Sequence, residues 1–154
     1  TFMRTITEIR HIGLVVYDLK KSVNFWCKKL GFKIYKKLEE EGSFIDALIG
    51  YKNVKLTTVK ISDKKGNIIE LLHFKNAPNK KINLQWRGNT YSKGFTHLAL
   101  KVKNIDHLYK SLRKKGIKFN SEPIISNDRK AKVTYCRTPE GVFLELVQII
   151  NENR

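Results

Sequence analysis

The sequence predicts an α+β fold: two paired β-α-β-β-β modules forming an open, cupped sheet of eight strands, with the helices on its convex face. Three observations predict it. A strand-like stretch at residues 9–17 returns at residues 94–102, and each copy carries one histidine, His11 and His97. Each copy is followed by an amphipathic helical pattern that stops at a glycine, Gly31 lying 20 residues after His11 and Gly116 lying 19 after His97. Each half then closes on a strand with a Gly-x-x-x-Glu-Leu pattern, Gly66 to Glu70-Leu71 and Gly141 to Glu145-Leu146. The 154 residues therefore read as one domain, with module 1 at 9–74, a linker at 75–93 and module 2 at 94–150.

In residues 9–17, Ile12, Leu14 and Val16 alternate with His11, Gly13 and Val15, the period of a strand with two different faces. Asp18 is an N-cap for a helix whose apolar side is Leu19, Val23, Trp26, Cys27 and Leu30, and Gly31 ends it. Residues 32–39 form the second strand, and residues 44–49 a short helix or loop closed by Gly50. Residues 54–61 and 67–74 form a hairpin around the turn at Asp63-Lys64-Lys65-Gly66. Trp86 is the one large apolar residue of the linker, an anchor for it.

The second half repeats the order. Residues 95–102 form a strand, and Asn104 caps a helix with Ile105, Leu108, Tyr109 and Leu112 on its apolar side. Residues 117–119 start the next strand, Glu122-Pro123 and Ser126-Asn127-Asp128 mark irregular connections, and residues 131–137 and 142–149 form the last hairpin. A polar, frayed tail follows.

Thirty-one Lys and Arg against 14 Asp and Glu give a net charge of +17. The lysines are spread over every element and no aromatic stacking motif is interleaved with them, which argues against a nucleic-acid interface. They read as a solvated surface that steers an anionic small molecule. No apolar run approaches the roughly 18 residues of a membrane span. The N-terminal residues lack a charged-then-apolar export pattern, Met3 is read as the native start, and the two cysteines, Cys27 and Cys136, read as separate buried thiols. A cytoplasmic protein is expected.

Glu70 and Glu145 each stand inside an otherwise apolar strand, where a carboxylate needs a partner or a cation. A histidine at the same place in both halves, matched by a glutamate at the same place in both halves, points to a metal site. Two imidazoles and two carboxylates suit one borderline divalent ion: Ni, Co, Zn, Mn or Fe. Four such ligands in an octahedral sphere leave two positions for water or a bidentate substrate. His73 reads as a strand-end residue and His107 as a helix-surface residue. Lys60, Tyr135 and Arg137, on strands facing the cup, are candidates to bind an anionic substrate group.

The chain resembles the vicinal oxygen chelate superfamily of glyoxalases, epimerases, extradiol dioxygenases and fosfomycin- or bleomycin-resistance proteins. The resemblance spans nearly the whole chain. It is carried by His11-Ile12-Gly13-Leu14-Val15-Val16, Phe25-Trp26 before Leu30-Gly31-Phe32, Gly66 to Glu70-Leu71, His97-Leu98-Ala99-Leu100, and Thr138-Pro139-Glu140-Gly141 before Glu145-Leu146. It implies His11, Glu70, His97 and Glu145 as metal ligands. That His-Glu-His-Glu order is similar to glyoxalase I, whereas methylmalonyl-CoA epimerases usually carry Gln where this chain has Glu70. Residues 43–50 look instead like a branch close to the epimerase-like members.

The resemblance implies a metal-dependent lyase, isomerase or epimerase that chelates vicinal oxygens of a small carbonyl substrate and abstracts a proton by way of an enediolate. Glu145 is the first candidate for the base and Glu70 the second. Homodimerisation is common in the superfamily and is expected here. Two other readings are a non-haem Fe(II) dioxygenase using His11, His97 and Glu145 as a facial triad, and a non-catalytic protein that binds a small molecule such as an antibiotic.

Overall fold

The computed structural model describes residues 5–76 and 94–150, in two compact units, one for each half of the sequence. Met3, the anchor expected of Trp86 and the frayed tail lie outside the described residues. Among the described residues are eight strands and three α-helices, four strands in each of two mixed, open sheets.

The first unit runs β1 (Ile12–Val15), α1 (Leu19–Val23), β2 (Lys33–Glu41), α2 (Ser43–Ile49), β3 (Lys55–Ser62) and β4 (Ile68–Phe74), with sheet order β1-β4-β3-β2. β1 runs parallel to β4, and the β2–β3 and β3–β4 pairs are antiparallel. A parallel neighbour needs a crossover, which α1 and the strands after it supply. Asp18 caps α1 by accepting from Lys21 N at 2.9 Å.

The helix expected through Leu30 is not uniform. After Val23 it widens into a π-turn over Asn24–Lys29, marked by Leu30 N donating to Phe25 O at 3.1 Å. The wider turn brings neighbouring side chains closer in direction. Phe25 and Trp26, adjacent in sequence, are both 1% exposed and meet edge to face at 5.6 Å. Trp26 also meets Phe32 at 5.2 Å. Phe25 and Ser22 therefore enter the core in place of the expected Val23, Cys27 and Leu30, which are half-buried.

The stretch before β3 forms a helix, α2, that ends on Gly50 at φ 83, a left-handed position suited to glycine. Asp46 accepts from the backbone N–H groups of Asn53 and Val54, both at 2.8 Å, and so bends the chain from α2 into β3. Ile45 packs there with Val54 and Leu56. In β4, Ile69 and Leu71 are buried on one face and Glu70 lies on the other.

The second unit runs β5 (His97–Lys101), α3 (Ile105–Lys114), β6 (Ile124–Ile125), β7 (Ala131–Arg137) and β8 (Phe143–Ile149), with sheet order β5-β8-β7-β6. β5 is parallel to β8, and the other pairs are antiparallel. Asn104 caps α3, and Gln148 Oε1 accepts from Ile105 N at 2.7 Å, tying the start of the helix to β8. Ile105, Tyr109 and Leu112 bury the apolar side of α3, and Leu144 and Leu146 are fully buried on β8.

The strand expected at 117–119 is reduced to one bridge, Phe119 with Cys136. The pairing resumes at Ile124–Ile125, between the two irregular connections expected at Glu122-Pro123 and Ser126-Asn127-Asp128. In module 1 the edge strand β2 pairs over most of its nine residues, with a bulge between Ile34 and Lys36, but here Pro123 interrupts the edge because it has no N–H to donate. The chain crosses the gap through Thr134 Oγ1 donating to Ser121 O at 2.7 Å.

Candidate metal centre

Each unit places its histidine and glutamate by the same register. On β1 and β4, Gly13 stands opposite Glu70; on β5 and β8, Ala99 stands opposite Glu145. Each glutamate thus faces the residue two past the histidine, on the same side of the parallel pair. His11 Nε2 is 3.1 Å from Glu70 Oε2, and His97 Nε2 is 3.3 Å from Glu145 Oε2. The glutamate side chains are 13% and 23% exposed, and both histidines 37%.

These pairs test the fit of a divalent ion. Two donors each about 2.1 Å from one ion, at right angles to each other, stand about 3.0 Å apart. The observed 3.1 and 3.3 Å agree with that spacing. An imidazole proton holds such a pair as readily as an ion does, so the spacing suits both states. Among the described residues, no group of three or more His, Cys, Asp and Glu is gathered as a cluster, and each unit supplies one imidazole and one carboxylate. The donor chemistry within each pair, one imidazole nitrogen and one carboxylate, suits a nitrogen- and oxygen-binding metal.

The partners of the two pairs differ. Thr96 Oγ1 is 2.9 Å from His97 Nδ1, so an Nδ1–H donated to it leaves the Nε2 lone pair facing Glu145. The ring of Tyr135 lies edge to face with His97 at 5.3 Å, and its hydroxyl oxygen is 3.5 Å from Nε2. Burial, then the negative charge of Glu145 and a hydrogen bond to it, push the Tyr135 phenol above its ordinary pKa. In the first unit Lys60 Nζ is 2.9 Å from Glu70 Oε1. Lys60 is directly opposite Glu70 on the antiparallel neighbour, as Tyr135 is opposite Glu145.

Of the three residues expected to meet substrate, Tyr135 therefore stands at its His–Glu pair and Lys60 is engaged by Glu70. Arg137 packs its guanidinium over the Phe143 ring at 4.1 Å and donates to Gly141 O at 3.4 Å, which places it at the β7–β8 turn. Thr96 was not singled out by sequence, although it immediately precedes His97. The equivalence of Lys60 and Tyr135 was also missed; its signal is a shared spacing of ten residues before each glutamate. His73 ties the end of β4 to β1 through Nδ1, 3.2 Å from Val16 O, and His107 is exposed on α3.

A cavity of about 570 Å3 in the second unit is lined by Tyr109, Arg113, Phe119 and their neighbours and includes neither His97 nor Glu145. Cavity size is a weaker guide here than the repeated chemistry.

Comparison with known proteins agrees with the fold and the repeat. A probable lactoylglutathione lyase of Synechocystis is 31% identical over 139 residues, which cover 90% of this chain and 92% of that protein. The uncharacterized protein YwkD of Bacillus subtilis is 27% identical over 146 residues, covering 93% and 98%. Among solved structures, a glyoxalase family protein from Bacillus cereus superposes with a TM-score of 0.84 at 20% identity, covering 97% of this chain and all of that one. The family described as the Glyoxalase/Bleomycin resistance protein/Dioxygenase superfamily matches residues 8–146. With the doubled β-α-β-β-β order and the repeated His–Glu register, that match places this chain in the glyoxalase/bleomycin resistance protein/dioxygenase superfamily.

Proposed function

We propose that this protein is a divalent-metal-dependent lyase, isomerase or epimerase of the glyoxalase type, with His11, Glu70, His97 and Glu145 as ligands of one ion. The observation that carries the reading is the repeated pair, imidazole Nε2 to carboxylate at 3.1 and 3.3 Å, set by one register in both modules. The relative named a probable lactoylglutathione lyase supports a substrate with a carbonyl next to a second oxygen-bearing carbon. A net charge of +17 favours an anionic one. A homodimer and a cytoplasmic location belong to the same reading.

The bound ion supplies Lewis-acid polarisation of the substrate oxygens. The protein's own part is proton transfer. Glu145 takes the proton from the C–H beside the carbonyl, leaving an enediolate, and returns it to the same or the adjacent carbon. Tyr135, in contact with both His97 and Glu145, orients that carboxylate and shields it from water. Glu70, held by Lys60 as well as His11, remains a ligand.

The test is metal analysis of the native protein, followed by hydrogen exchange at substrate C–H bonds in heavy water across 2-oxo-thiohemiacetals and acyl-CoA thioesters. Exchange that depends on the ion supports the proposal. A loaded protein that instead consumes oxygen with iron bound would move the assignment to the dioxygenase branch.

A further inference from the structure

We propose that Lys60 is a built-in competitor for the cation at Glu70, an inference that rests on the metal-binding reading above. Lys60 Nζ is 2.9 Å from Glu70 Oε1, while His11 takes Oε2 at 3.1 Å. With Lys60 23% and Glu70 13% exposed, little water screens the pair. The contact follows from the backbone: Lys60 is the direct cross-strand partner of Glu70 in the β3–β4 register.

The second module carries a tyrosine at that place. Tyr135 is the cross-strand partner of Glu145, ten residues before it, as Lys60 is ten before Glu70. The two carboxylates are equivalent in register, yet one faces an ammonium and the other a phenol. A fixed cation on Glu70 has two consequences. It neutralises a largely buried carboxylate when no ion is present, which protects the metal-free fold. It also repels a divalent ion approaching the same carboxylate, so loading must displace Lys60 or proceed against its charge. Lys60 thereby sets how tightly the ion is held and what keeps Glu70 in place before the ion arrives.

The experiment uses the full chain, stripped of metal, with zinc titrated against a chromogenic chelator and thermal melts recorded with and without zinc. Lys60→Met is expected to bind zinc about tenfold more tightly than wild type, the scale of changes around metal ligands, and its metal-free form to melt lower. Lys60→Arg, which keeps the charge, should remain close to wild type. Tyr135→Lys, which installs the same cation opposite Glu145, should bind zinc more weakly. Equal or weaker binding by Lys60→Met, with the wild type binding zinc, overturns this inference and leaves the metal reading standing. If Lys60→Met does not fold by circular dichroism, Tyr135→Lys decides, and unchanged affinity there overturns the inference. No zinc binding by the wild type or any variant removes the metal reading, and this inference with it.

Discussion

Glu145 Oε2 stands 3.3 Å from His97 Nε2 because β5 runs parallel to β8 with Ala99, two residues past the histidine, directly opposite the glutamate. Glu145→Gln keeps the size of the side chain and removes its capacity to accept a proton. Turnover on a substrate identified by exchange should fall about 10³-fold, with the far-ultraviolet circular dichroism unchanged. Turnover that survives the change would show that the base lies elsewhere.

The π-turn makes Trp26 the largest buried side chain of the first unit, stacked edge to face against Phe25 and Phe32. Trp26→Ala should cost about 3–5 kcal/mol, the usual range for emptying such a site. Urea unfolding measures it. A loss below about 1 kcal/mol would mean that the aromatic cluster does not hold this unit together.

Asp46 satisfies two backbone donors, Asn53 N and Val54 N, at the entry to β3. Asp46→Ala leaves both without that acceptor and should destabilise by about 1–3 kcal/mol. Hydrogen exchange should quicken at Asn53 and Val54 before it changes in β7 or β8.

Burial pushes the Cys136 thiol up to about 12 from 9.0. The folded protein therefore keeps its proton at a pH where the unfolded chain gives it up. The thiol's contribution is full below pH 9 and is lost as pH rises from 9 toward 12, at about 1.4 kcal/mol per pH unit. Urea midpoints at pH 8 and pH 10.5 should drop more in wild type than in Cys136→Ala. Equal drops in the two proteins would place the alkaline loss in other groups.

Much of the local order was readable from residue spacing. The period-two pattern around Ile12, Leu14 and Val16, the helical pattern from Ile105 to Leu112, and the stops at Gly31, Gly50 and Gly116 all report interactions between near neighbours in the chain. Edges were less legible. Glu122-Pro123 reads as an irregular connection, and pairing resumes directly after it, Ile124 and Ile125 meeting β7, because a proline at an edge costs only its own hydrogen bond. The π-turn was hidden as well, since residue spacing does not show that the adjacent Phe25 and Trp26 are both buried.

The sequence by itself determined the doubled module and the candidates His11, Glu70, His97 and Glu145, because a repeat shows in residue types and spacings without any contact being known. Only the tertiary structure decided what each glutamate touches. Whether an ammonium or a phenol faces the carboxylate depends on cross-strand register, which joins Lys60 to Glu70 and Tyr135 to Glu145 across hairpins. Register is set by the pairing of whole strands and by which face of the sheet is buried. For that physical reason, two halves alike in pattern carry carboxylates in different electrostatic surroundings.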